Sequence, residues 1–208
     1  MKGIRTHAVV LVILVSVTIP HAFQNKRVLE CGSVFNSETN FDSLIRTFGV
    51  SNVIEAEIHG SEGFYHHGAL IFPGSEDEVE IFWGDPHTQQ SLRRVRISGR
   101  QSSWKLPSGL ELGMDLQSIE AHNRKPFRLT GFGWDYGGTI VSWENGYLAP
   151  SSSESCRVII RLGYDTSEYT KELILKHGSV MGSSSFSSGH PTMQELKPFI
   201  REISLFLD

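Results

Sequence analysis

Apolar and polar positions along this chain switch between two periods. Phe41, Leu44, Ile45 and Phe48 recur at helical spacing, with Thr39 or Asn40 as the cap and Gly49 as the stop. Over residues 52–59 the period falls to two, with Val53, Glu55 and Glu57 opposing Ile54, Ala56 and Ile58 as in a strand. Residues 67–73 and 78–83 read as strands either side of a Pro73-Gly74-Ser75 turn, with Glu78, Glu80 and Phe82 facing away from Val79, Ile81 and Trp83. Residues 92–98 follow as a strand carrying Leu92, Arg94, Arg96 and Ser98 on one side, and residues 104–106 continue the sheet after a turn.

A second helix is predicted over residues 115–123, capped by Asp115 or Gly113, with Leu116 and Ile119 inward and Pro126 beyond its end. Residues 127–134 and 139–143 read as a hairpin, Asn145-Gly146 as another turn, and residues 157–162 as a strand. Residues 169–177 fit a helix or a strand. The Ser- and Gly-rich residues 178–189 read as a mobile loop. A helical turn over 192–196 leads to a last strand over 199–207, with Phe199, Ile203, Leu205 and Leu207 on one face. The expected fold is α+β, mostly antiparallel sheet with two or three short helices. Residues 36–84 and 113–148 each run from a helix through aromatic strands to a closing tryptophan, Trp83 or Trp143, and read as a degenerate tandem repeat.

The N-terminus changes the compartment. Lys2 and Arg5 precede an uncharged, largely apolar run of 12 residues from Ala8 to Ile19. That is too short to span a bilayer, which takes about 20 residues, and right for the core of a signal peptide. Residues 1–22 are therefore expected to be a signal peptide cleaved after Ala22. Residues 23–208 remain as one α+β domain, exported to the periplasm or the extracellular space without a transmembrane segment. Removing Lys2 and Arg5, and no acidic residue, moves the formal charge from −4 to −6. A chain of that sign is not expected to bind nucleic acid. In an oxidising compartment its two cysteines, Cys31 and Cys156, are expected to form a disulfide. Closing so long a loop stabilises by about 4–5 kcal/mol in the chain-entropy account.

The least random stretch is Gly131-Phe132-Gly133-Trp134-Asp135-Tyr136-Gly137-Gly138. Read as a strand, it puts Phe132, Trp134 and Tyr136 on one face and bare glycine on the other, so that another element can approach the backbone closely. Asp135 to Gly138 supplies turn residues, with Gly137 or Gly138 free to take positive φ. Two readings follow. One is a structural hairpin with its aromatics in the core. The other is a recognition surface in which Phe132, Trp134, Asp135, Tyr136 and Trp143 contact a glycan or a protein partner.

The run GLELGMDLQSIEAHNRKPFRLTGFGWDYGGTIVSWENGYL, together with IFPGSEDEVEIFWGD and HPTMQELKPFI, resembles a recurrent pattern in uncharacterised exported bacterial proteins. This resemblance implies a shared fold and export, and carries no activity. The Ser-rich residues 182–188 depart from it. The helix-plus-sheet order is also similar, at the level of architecture, to the small domains of β-lactamase-inhibitor and outer-membrane-assembly lipoprotein type, which are binding proteins.

Catalytic chemistry finds little footing. His66, His67, Asp85 and His87 are the residue types of a zinc site, but neighbours on a strand point to opposite faces, so His66 and His67 do not readily share an ion. Asp135 and Glu144, or Glu78, Glu80 and Asp85, are candidate acid pairs for an exported hydrolase. No GxSxG elbow or phosphate loop occurs. Arg93, Arg94, Arg96 and Arg100 read as an exposed strand protecting a sheet edge rather than an anion site. No cofactor is expected. The reading that results is a non-enzymatic exported binding protein.

Overall fold

In the computed structural model, residues 26–150, 156–167 and 169–207 are described; the expected signal segment, residues 1–22, lies outside them. In chain order the strands are β1 (Arg27–Val28), β2 (Val53–His59), β3 (Tyr65–Ile71), β4 (Val79–Asp85), β5 (Gln90–Ser98), β6 (Trp104–Lys105), β7 (Arg128–Thr130), β8 (Ile140–Ser142), β9 (Arg157–Gly163), β10 (Ser185–Ser187) and β11 (Phe199–Phe206). The helices are α1 (Phe41–Phe48), α2 (Leu116–Asn123), α3 (Lys171–His177) and α4 (Pro191–Leu196). The fold is α+β, as the periodicity predicts.

Six strands form an antiparallel sheet in the order β2-β3-β4-β5-β11-β9. One face carries Ala69, Ile81, Val95 and Leu205 in one row and Ile97, Ile203 and Ile160 in another, all buried. These rows join the main core with Leu44 of α1, Leu116 and Ile119 of α2, and Phe35 and Trp104 from the flanking segments. Helix α1 starts where Asn40 and Ser43 cap each other's backbone N–H groups and stops at Gly49, whose φ of 91° suits glycine.

Three departures from the expected pattern have local causes. A bulge in the β4–β5 register between Phe82 and Trp83 puts Leu92 with Val95 and Ile97 on the core side, away from Arg94 and Arg96. A second bulge, in β11 between Ile200 and Glu202, brings Ile200 into the core with Ile203, Leu205 and Leu207, while Phe199 lies half-buried under Arg100. Trp104 and Lys105 do not extend the main sheet; they pair in parallel with β1.

A small sheet, β10-β7-β8, contains part of the segment expected to be a loop: Ser185–Ser187 pairs with Arg128–Thr130. The Ser-rich run lacks apolar alternation because its strand is three residues long and takes its register from β7. The small sheet reaches the large one at β9, through a Thr139–Arg161 bridge and Leu162 N–H donating to Gly138 O at 2.8 Å. Beyond that bridge no ladder pairs β8 with β9. The disulfide Cys31–Cys156, with Cα atoms 6.2 Å apart, ties the N-terminal arm to the start of β9.

Candidate binding face

The Gly131–Gly138 segment is a compact turn and not a strand. The extended run of β7 ends at Thr130, and Gly133 with φ 82° and Gly138 with φ 75° break the alternation. The turn is tied at many points. Phe132 N–H donates to Val180 O (3.0 Å), Gly182 N–H to Phe132 O (2.8 Å), and Gly131 N–H to Ser184 O (2.9 Å). The hydroxyls of Thr130 and Thr139 both donate to Tyr136 O at 2.8 Å. Backbones come close at both ends of the turn: a Cβ at Gly131 would lie 2.6 Å from the carbonyl oxygens of Val180 and Gly182, and one at Gly138 would collide still harder with Leu162 O. Close approach at the glycines is thus the feature the composition predicts correctly.

The shared aromatic face is corrected. Phe132 is 4% exposed and turns inward, its ring 4.8 Å from that of Tyr164 and 6.3 Å from His177. Trp134 and Tyr136 point out, 39% and 51% exposed, with ring centroids 5.4 Å apart at 69°. The indole N–H of Trp134 donates to Gly131 O at 3.1 Å, which holds the ring in one orientation. Asp135 is exposed between them. Trp143 stands apart, half-buried against Phe127 at 5.5 Å. It walls an apolar cleft of about 410 Å³ beside β8 and β9, with Ile140, Val158, Ile160 and the Cys31–Cys156 bridge.

The turn abuts the second face of the large sheet, because the guanidinium of Arg161 donates to Asp135 O. That face is polar and aromatic in register: Phe82, Arg94, Phe206 and Arg157 form one row, Glu80, Arg96 and Ser204 the next, and Ser98, Glu202 and Arg161 a third. Arg94 stacks over Phe82 and Phe206, each at 5.0 Å, and pairs with Glu202 at 3.1 Å. Arg96 is ion-paired with Glu80. Burial lowers the pKa of Arg94 against the opposing pull of Glu202, whereas in Arg96 the same desolvation is outweighed by the Glu80 carboxylate and the pKa rises. The arginine strand is therefore central rather than an edge, correcting the sequence expectation. These residues alternate with core positions on neighbouring strands, and only the pairing order shows that they meet.

The candidate catalytic residues meet only in part: His66, His67 and His87 line one pocket of about 350 Å³ with Tyr65, Phe82, Trp83 and Pro86, and its lining holds no carboxylate. His66 packs on Phe82 at 5.7 Å, while His67 lies on the opposite face of β3, 3.2 Å from Glu57 and 3.6 Å from Glu55. Asp85 accepts hydrogen bonds from the hydroxyl and N–H of Thr88 and the N–H of His87, which hold its carboxyl below the ordinary range. Glu78 caps Gly74 N–H, and Glu144 accepts from Ser142. Among the described residues no three His, Cys, Asp or Glu side chains are placed to hold a metal ion. No described helix is long and apolar enough to cross a membrane. No protein-family model matches the chain, and neither a curated protein nor a solved structure shows significant similarity to it.

Proposed function

We propose that the chain is an exported, non-enzymatic binding protein whose contact surface is the Trp134–Tyr136 pair on the Gly131–Gly138 turn. The observation that carries this reading is the pair itself: two exposed rings, edge to face, on a backbone pinned to Val180, Gly182 and Ser184 just before β10 and to β9. Rings held in place before contact lose little conformational freedom on binding, and they offer a flat apolar surface to a sugar ring or a partner's side chain. The N-terminal pattern, the Cys31–Cys156 bridge and the resemblance to exported bacterial proteins support the compartment. A hydrolase would need an uncommitted acid pair, whereas Glu78, Glu80, Asp85 and Glu144 are each engaged by a turn, a hydroxyl or an arginine.

The test is crosslinking in the native cell envelope with wild type, Trp134→Ala and Tyr136→Ala, each checked for an unchanged melting temperature. Loss of the same adduct in both variants is expected, with protease sensitivity of that adduct marking a protein partner and competition by soluble envelope glycan marking a sugar. Identical adducts in all three proteins would overturn the reading.

A further inference from the structure

At the end of the polar sheet face lies a groove of about 510 Å³ bordered by Arg96, Arg100, Arg201, Tyr164 and Phe199. Its positive groups are only partly neutralised. The single acid in its wall, Glu202, is engaged by Arg94 at 3.1 Å and Arg161 at 3.5 Å. Arg96 is held by Glu80 and by His59 O, to which it donates at 2.7 Å. The Arg100 guanidinium lies 4.0 Å from the centroid of the Phe199 ring and 3.7 Å from Asp165, both weak restraints on an exposed side chain. Arg201 makes no ion pair or side-chain hydrogen bond among the described residues, and its stem packs against Gly163, where a side chain would collide with it. Five arginines (94, 96, 100, 161 and 201) face three carboxylates (Glu80, Asp165 and Glu202), leaving two positive charges in excess on a chain whose formal charge is −4.

We infer that this groove binds a phosphate monoester with an organic body. Arg100 and Arg201 take the dianion, since guanidinium forks match phosphate oxygens. Tyr164 and Phe199 receive the organic part. The volume exceeds what inorganic phosphate fills, which favours the ester over the free ion. The ester belongs to a soluble molecule or to a lipid headgroup.

Calorimetric titration with phenyl phosphate and with inorganic phosphate, and co-sedimentation with phosphatidylcholine vesicles with and without phosphatidic acid, test it. Phenyl phosphate is expected to bind more tightly than inorganic phosphate, with affinity falling as salt rises. Arg100→Gln and Arg201→Gln should each weaken it about tenfold or more. Asp165→Asn, which removes a competing carboxylate, should strengthen it about two- to fivefold. Binding to the acidic vesicles that both arginine variants lose assigns the headgroup; binding of the soluble ester without vesicle binding assigns a free ligand. No binding of phenyl phosphate or acidic vesicles, or binding that Arg100→Gln and Arg201→Gln leave unchanged, overturns the inference. So does equal weakening by the control Lys176→Gln.

Discussion

Asp77 shows how one side chain organises a loop. Its carboxylate accepts from Ser103 N–H at 2.6 Å, the Ser103 hydroxyl at 2.7 Å and the Ser102 hydroxyl at 3.2 Å, while Asp77 O accepts from the Trp104 indole at 3.0 Å. Burial pushes its pKa up, but these donors and Arg27 outweigh burial and hold the carboxyl below its ordinary value. The sign follows: the folded state binds this proton less readily than the unfolded chain, so the contribution is complete above the ordinary carboxylate range and is lost as pH falls through the folded value. Asp77→Asn should cost about 1–3 kcal/mol, read by urea denaturation at neutral pH, and should flatten the acid limb of the stability profile. Nothing in Ser-Glu-Asp-Glu marks Asp77 in advance, because its partners lie 25 to 27 residues later.

At the scale of elements, α3 and the Gly131–Gly138 turn share a packing layer. His177 closes α3 with its ring 4.6 Å from Tyr164, and Tyr164 in turn packs on Phe132. Burial lowers the pKa of His177, and its Nε2 is buried with no hydrogen-bond partner among the described residues. The unfolded chain takes this proton more readily, so stability is lost as pH falls below the ordinary histidine value towards the lower folded one. Hydrogen-exchange protection factors, which correct for the slower chemical exchange at lower pH, should fall together at α3 and at residues 131–138 over that range. In His177→Phe, which removes the imidazole nitrogens, the fall should be much reduced; an unchanged pH response would assign it elsewhere. Tyr169 lies in the same layer, its hydroxyl donating to Leu196 O at 2.8 Å and its pKa pushed up to about 12 by burial and by the neighbouring Tyr164 and Asp165.

For the whole molecule, the Cys31–Cys156 bridge spans 125 residues and joins the arm to β9, the edge of the large sheet that meets the small one. It also walls the apolar cleft beside Trp143. Replacing both cysteines by serine should lower stability by about 2–5 kcal/mol, seen as an earlier denaturation midpoint. If stability does not change, the long loop is already constrained in the unfolded chain.

What the sequence by itself determined is local. The spacing of Phe41, Leu44 and Phe48, the Asn40 and Asp115 caps, and the alternation in residues 53–59 and 79–83 specify helices and strands through contacts a few residues long. The disulfide was legible because only two cysteines exist. Glycine content announced close backbone approach and a turn at 135–138, but not that the strand already ends at Thr130, nor that Phe132 goes in while Trp134 and Tyr136 go out, since that depends on positive φ at Gly133 and on Tyr164 arriving from β9's end. Strand order was decided only in three dimensions. It placed Arg94 and Arg96 in the sheet's middle, brought Glu202 and Arg161 to them, and opened the groove at Arg201, because cross-strand neighbours such as Arg161 and Glu202, 41 residues apart, or Arg94 and Glu202, 108 apart, leave no periodic trace in the chain.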